Sequence, residues 1–378
     1  MSSNCTKWLD RNNPDSPSAV FDLSKVKKNY FRLKSLYKDI EVFYAVKANP
    51  NKKIIDLLNS IGSSFDCASL DEIKICLNSN VAVQKISYGS TIKKEVDIET
   101  AFQLGVRLYA FDSHEELEKI SRKAPGASVF CRLMVPNGGS EWPLSKKFGC
   151  NYKVAEKLIL NAKKIGLEPI GVSFHVGSQQ LSEKTWYKSI EIASKVFKKL
   201  AQKNIILNFL NLGGGIPVTY TNKLLNNRSY SVNILKSINK SFGNLKPRKI
   251  IMEPGRFLVA NAGIIETEVI LVSDRGKKND KRWIYIDVGR YNGLAETEDE
   301  AIHYEIKAKG YKNFKKENYI LAGPSCDSHD VIYNNKDCVL PSKLKCGDKL
   351  RILATGAYTT VYSSNFNGMK KISEYFIE

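Results

Sequence analysis

Residues 41–77 read EVFYAVKANPNKKIIDLLNSIGSSFDCASLDEIKICL. Two short runs, EVFYAV from Glu41 and SSFDCA from Ser63, have the length of buried strands. After the second, Leu70, Ile73 and Leu77 recur at helical spacing, and Ser69-Leu70-Asp71-Glu72 forms a capping box that opens that helix. Strand, helix, strand, helix is therefore the local grammar. It continues outward, with strands beginning at Lys85 (KISY), Arg107 (RLYAF), Ser128 (SVFCRLM), Pro169 (PIGVSF), Ile206 (ILNFLNL) and Arg248 (RKIIME). Ser113-His114-Glu115-Glu116 predicts a second capping box. Eight such units in series predict an α/β fold, a (β/α)8 barrel over residues 24–255. An open doubly wound sheet suits a count of eight less well. Beyond residue 255 the texture turns β-rich (GIIETEVILVSD, RWIYIDVG, NYILAG, KLRILATGAYTTVY), which predicts a smaller β-sandwich-like domain over 256–378. The early strand SAVFDL precedes the first barrel helix and is expected to cross back, so that residues 1–23 join that domain.

At 378 residues the chain is too long for one small core, and two domains are the default. With 43% hydrophobic and 26% charged residues it has the composition of a soluble globular protein. No run of eighteen apolar residues is present, and MSSNCTKWLDRNNPDSP has no apolar leader core. The eight cysteines form no CxxC pair and read as reduced thiols of a cytoplasmic protein. A net charge of +19 can signal nucleic acid or an anionic membrane. Here the lysines lie along many helix faces (Lys27, Lys28, Lys52, Lys53, Lys93, Lys94, Lys198, Lys199) without an Arg-rich run, zinc-finger spacing or RNA-binding aromatic motif. A solvated basic surface is the expectation, with no nucleic-acid or membrane partner.

In a barrel of this kind the chemistry sits where strands end. The first strand ends in Tyr44-Ala45-Val46-Lys47-Ala48-Asn49-Pro50. A half-buried lysine favours its neutral amine, which can form a Schiff base. Taken alone, a strand-end lysine is more often a surface charge. The other ends carry Asp66, His175 with Ser178, Gly213-Gly214-Gly215, and Glu253 with Arg256. Glycines also make ordinary turns, and a histidine can be a satisfied core residue. Three glycines in a row between strand and helix let backbone N–H groups close around an anion, with Ser178 and Arg256 adding hydrogen bonds and charge. Together these residues predict a pyridoxal 5'-phosphate site. Lys47 bonds the aldehyde carbon, Glu253 faces the ring nitrogen, His175 stacks on the ring, and Ser178, Gly213 to Gly215 and Arg256 hold the phosphate. No metal site is expected.

YAVKANP, FDCAS, SFHVGSQ, LGGGIP, EPGR, AGPSCDSHD and GAYTTVYSSNFNG occur in that order. They resemble the motifs of the ornithine/lysine/arginine-type decarboxylases with the alanine-racemase-like fold. SYGSTIKK, EWPLSKKFGC and Gly293-Leu294-Ala295-Glu296-Thr297 are similar to the bacterial ornithine and lysine/ornithine members. The resemblance implies α-decarboxylation of a small basic amino acid, ornithine first and lysine second, and a head-to-tail homodimer with shared active sites. It assigns Cys326 to reprotonation of the substrate carbon and Asp327 to the distal amine, both reaching the site from the partner chain. Tyr358 supports the phosphate, Phe366 packs on substrate, Arg132 lies near the ring, and Asp66 supports the lysine side. Glu296 is the first choice within the acidic stretch 296–300 for a second distal-amine contact. The Tyr-Asp pair of eukaryotic ornithine decarboxylases is absent there.

A diaminopimelate decarboxylase shares most of these motifs but typically carries Cys-Glu-Ser where this chain has Cys326-Asp327-Ser328. A racemase needs a tyrosine acid/base and no Cys-Asp-Ser segment. A non-catalytic regulatory homologue is expected to lack Lys47, His175, Glu253, Arg256 or Cys326, all of which are present. A small barrel-type carrier of the cofactor is excluded by length.

Overall fold

The computed structural model describes residues 3–142, 147–220, 227–275, 281–311 and 313–378. The chain forms two compact units, one of Tyr30–Pro217 with Leu225–Gly255, the other of Met1–Asn29, Val218–Leu224 and Arg256–Glu378.

The first unit is a closed barrel of eight strands: Glu41–Ala45, Ser64–Cys67, Ile86–Tyr88, Leu108–Phe111, Ser128–Arg132, Glu168–Ser173, Phe209–Asn211 and Lys249–Met252. Each pairs in parallel with the next in sequence, and the last closes on the first, with Ile251 opposite Glu41 and Met252 opposite Val42. That closure separates the barrel from an open sheet. Phe43, Ala110, Phe130, Phe209 and Ile251, with Leu108 and Ile170, form one apolar cluster across the strands. Strand side chains alternate, so the residues two places further along share that face: Ala45, Arg132, Asn211 and Glu253. An apolar plug thus underlies a polar layer at the C-terminal rim.

The first capping box forms with a shift: Ser69 Oγ accepts from the Glu72 N–H, but Glu72 accepts from the Ala68 N–H, one residue before the cap. The second forms only in part. Ser113 caps its helix, but the Glu116 carboxylate turns to Lys93 at 2.9 Å and Lys119 at 2.6 Å. A buried lysine outbids the backbone for that carboxylate.

The second unit is a nine-stranded, mostly antiparallel sheet among the described residues. Ser18–Asp22 pairs antiparallel with Gly263–Ser273 and parallel with Ser373–Ile377, so the N-terminal strand does belong here. The division falls at Asn29, inside the helix Leu23–Leu36, rather than before that helix. The Asn29 amide donates to Leu258 O (2.8 Å) and Asn261 Oδ1 (2.7 Å), tying that turn to the β-unit. An additional helix, Ser3–Asn12, buries Cys5 and Leu9 against Val20, Ile264 and Leu353. Its apolar residues Cys5, Trp8 and Leu9 stand at helical spacing. Among the described residues no helix is long and apolar enough to cross a membrane.

Candidate active site

Lys47 sits on the 3-10 turn Val46–Ala48 immediately after the first barrel strand. Burial of Val46 and Ala48, and a 2.9 Å bond from the Tyr44 hydroxyl to Asn49 O, fix that turn. The Lys47 ammonium lies 3.6 Å from Asp66 Oδ2; its side chain is 40% exposed while that of Asp66 is 3% exposed. Burial, reinforced by the charge of Glu253, raises the Asp66 pKa to about 8, and Lys47 opposes the rise. Asp66 Oδ1 is buried with no hydrogen-bond partner among the described residues. Its space comes from Gly89, where a Cβ would stand 1.9 Å from that oxygen.

Across the rim, the Asn211 amide donates to Glu253 Oε1 while Asn211 Oδ1 accepts the Gly213 N–H at 2.8 Å. The Glu253 N–H in turn donates to Gly213 O at 2.9 Å. One asparagine thereby links the carboxylate to the triple-glycine turn. Arg132, at the end of its strand, is pulled below the usual guanidinium value by burial and supported by Glu253, Asp112 and Asp66. His175 Nδ1 accepts the Gly177 N–H at 3.0 Å, which leaves the proton of a neutral ring on Nε2. Burial, then the charges of Arg132 and Lys47, push His175 well below its ordinary value and hold the ring neutral.

The three glycines are required by close approach. A Cβ on Gly214 would stand 2.9 Å from His175 Nε2 and 2.8 Å from Glu253 O; on Gly213 it would meet Phe174 O at 2.2 Å. Gly213 and Gly215 also hold φ of +65° and +109°. Ser178 begins a short strand paired with Ser140–Trp142. The barrel therefore brings together Lys47, Asp66, Arg132, His175, Gly214 and Glu253. Asn211 and Gly89 were not singled out by sequence reasoning. Asn211 stands two residues before the glycines, a place where an amide can bridge; Gly89 lies in the quoted SYGSTIKK motif. Part of EWPLSKKFGC, residues 143–146, lies outside the described residues.

The β-unit holds the remaining assigned residues in two groups. In the first, the buried Arg256 guanidinium bonds Glu296 Oε1 at 2.6 Å and the Tyr220 hydroxyl at 2.7 Å, and lies 4.8 Å over the Tyr358 ring. The stretch 296–300 lies in the 3-10 segment Ala295–Glu300, which is broken by a kink at Glu298 and Asp299. Glu298 pairs with Arg290, and Glu300 accepts three backbone N–H groups from Asn334, Asn335 and Lys336. Glu296, expected to meet a distal amine, is instead engaged by Arg256; burial raises its pKa against that pairing.

In the second group, Asp327 Oδ2 accepts from the Tyr291 hydroxyl at 2.8 Å and Oδ1 from the His329 N–H at 2.8 Å. Those two bonds, the backbone one first, hold Asp327 below the usual carboxylate value. The Phe366 ring packs on Tyr291 with centroids 4.8 Å apart, and Cys326 Sγ lies 3.4 Å from Asn367 Oδ1. Exposed Cys326 and Phe366 thus share one surface patch with half-buried Asp327. Tyr291 and Asn367 are its unforeseen members.

The barrel rim supplies a lysine amine, a neutral imidazole, a carboxylate held by an amide, and a glycine turn able to close on an anion. Together with the partnerless Asp66 oxygen, this donor set fits pyridoxal phosphate. The chain matches the family described as pyridoxal-dependent decarboxylase, pyridoxal binding domain, over residues 23–260. It is 33% identical to the lysine/ornithine decarboxylase of Selenomonas ruminantium over 93% of this chain and 87% of that one. The crystal structure of Paramecium bursaria Chlorella virus arginine decarboxylase superposes with a TM-score of 0.90 at 26% identity, covering 100% of both chains. Vibrio vulnificus lysine/ornithine decarboxylase complexed with cadaverine gives a TM-score of 0.88 at 25% identity, again covering 100% of both chains. The chain belongs to the pyridoxal-dependent decarboxylases and is a pyridoxal-phosphate-dependent carboxy-lyase of the basic amino acid type.

Proposed function

We propose that this protein removes the α-carboxylate of L-ornithine, giving putrescine for polyamine synthesis, and accepts L-lysine as a second substrate. When bound, pyridoxal phosphate supplies an electron sink for the pair left as CO2 departs. Lys47 provides the amine that tethers it. Glu253, oriented by Asn211, would hold a proton for the ring nitrogen, and neutral His175 would pack on the ring without adding charge. Arg132 would lie near the ring, Ser178 and the glycine turn would hold the phosphate, and the resemblance assigns Arg256 and Tyr358 to the same group. Cys326 delivers the proton to the substrate carbon.

The observation that carries the substrate class is Asp327. It is a half-buried carboxylate held ionised and oriented by the Tyr291 hydroxyl and the His329 N–H, with the Tyr291 ring packed on Phe366. An oriented anion next to an aromatic face suits an alkylammonium. Because Cys326 and Phe366 are exposed on the single chain and Asp327 is half-buried between them and Tyr291, we propose a head-to-tail homodimer in which each patch serves the partner's barrel.

CO2 release from ornithine, lysine, arginine and diaminopimelate, measured side by side with product identification, tests the reading. Ornithine is expected to give the highest kcat/KM. Asp327→Asn is expected to raise KM for ornithine by about tenfold or more, the loss of one charge-assisted contact. Turnover of diaminopimelate alone would overturn the assignment.

A further inference from the structure

We infer that Glu296 is a positioning residue for the cofactor-binding arginine, and not the acceptor of the substrate's distal amine. The inference rests on the reading of Arg256 as a phosphate ligand. Arg256 and Glu296 are each 4% exposed at the side chain and meet at 2.6 Å. A guanidinium rotates freely on a long stem unless its donors are engaged. Here Glu296 takes Nη2 and Tyr220 takes Nη1, while Tyr358 supplies a ring face. Three contacts on one planar group set its plane.

The same geometry argues against an amine role. A carboxylate already neutralised by a guanidinium has little field left for a second cation, and that cation would approach Arg256 itself. Glu296 Oε2 is buried without a hydrogen-bond partner among the described residues, as is the hydroxyl of nearby Tyr304. The carboxylate is therefore held in place by a single strong partner, and losing that partner would leave a buried charge uncompensated. Two other carboxylates of the stretch are engaged elsewhere: Glu298 on Arg290, and Glu300 on backbone N–H groups.

The test separates cofactor affinity from substrate affinity. Cofactor-free protein is titrated with pyridoxal phosphate, followed by its visible absorbance, and KM for ornithine is then measured at saturating cofactor. Glu296→Gln keeps shape and one acceptor but loses the charge. It is expected to weaken cofactor binding by about tenfold, with KM for ornithine changed less than about twofold. Tyr220→Phe removes the second anchor of the same guanidinium and is expected to weaken cofactor binding about threefold with KM unchanged. It decides the matter should Glu296→Gln fail to fold. Unchanged cofactor affinity with a raised KM in Glu296→Gln would overturn the inference and return Glu296 to the amine. Arg256→Lys is the control: if it binds pyridoxal phosphate like wild type, the phosphate role of Arg256 falls instead, a distinct result.

Discussion

Gly89→Ala isolates the contact on which the lysine end of the site depends. The added Cβ would stand 1.9 Å from Asp66 Oδ1, 2.8 Å from Cγ and 3.0 Å from Oδ2. Ordinary contact requires the oxygen to retreat by roughly 1.5 Å. The backbone at Gly89 cannot yield instead, because its N–H is bonded to Cys67 O at 2.9 Å, next to Asp66 itself. Asp66 is buried, so it must rotate away from Lys47. Overpacking of this kind costs about 1–3 kcal/mol. For a barrel unit of this size that lowers Tm by roughly 2–4 °C per kcal/mol. Cofactor affinity should fall about tenfold as the carboxyl that positions Lys47 is displaced. The assay is calorimetric melting of cofactor-free protein together with cofactor titration. Gly138→Ala serves as control, since a Cβ there meets nothing within 4 Å. A Gly89→Ala protein with wild-type Tm and wild-type cofactor affinity would refute the reasoning.

Asp66→Asn should change the pH dependence of stability in the cofactor-free protein. The folded carboxyl titrates near 8 against an ordinary value of 3.8, so between these the unfolded chain sheds a proton that the native state keeps. Stability is lost as pH rises through that window; the asparagine variant should therefore melt higher than wild type near pH 8, with the difference vanishing toward pH 4, as followed by thermal melts across pH. Gly214→Ala should reduce cofactor affinity by about tenfold, because its Cβ displaces the His175 ring, and equilibrium titration reads this directly. Lys93→Ala should destabilise the barrel by about 3 kcal/mol in urea unfolding, because it opens a wholly buried pair with Glu116 and frees the carbonyls of Ser90 and Ala110.

The helix Leu70–Asn78 shows where a sequence pattern carries through and where it stops. Its Ser69 cap is local and formed as read, yet its most deeply buried residues are Ile73 and Cys76, so the inward face is turned from the Leu70, Ile73, Leu77 stripe. Ser3–Asn12 was legible in Cys5, Trp8 and Leu9 but went unread among polar neighbours. Glu116 was assigned to its helix cap by a local rule and taken by Lys93, a residue remote in sequence, which no local rule sees.

Short apolar runs of strand length marked the eight strands, and the place where each one ends pointed to Lys47, Asp66, His175, the glycines and Glu253, because strand-end position is a local property of the chain. The β-rich texture after residue 255 and the return of the Ser18–Asp22 strand were legible for the same reason. Only the tertiary structure decided pairings between distant residues: Asn211 on Glu253, Gly89 beneath Asp66, Glu296 on Arg256, and Tyr291 on Asp327. A side chain's partner is set by what the closed fold brings within about 3 Å, in competition with every other donor and acceptor nearby. That competition has no signature in linear spacing.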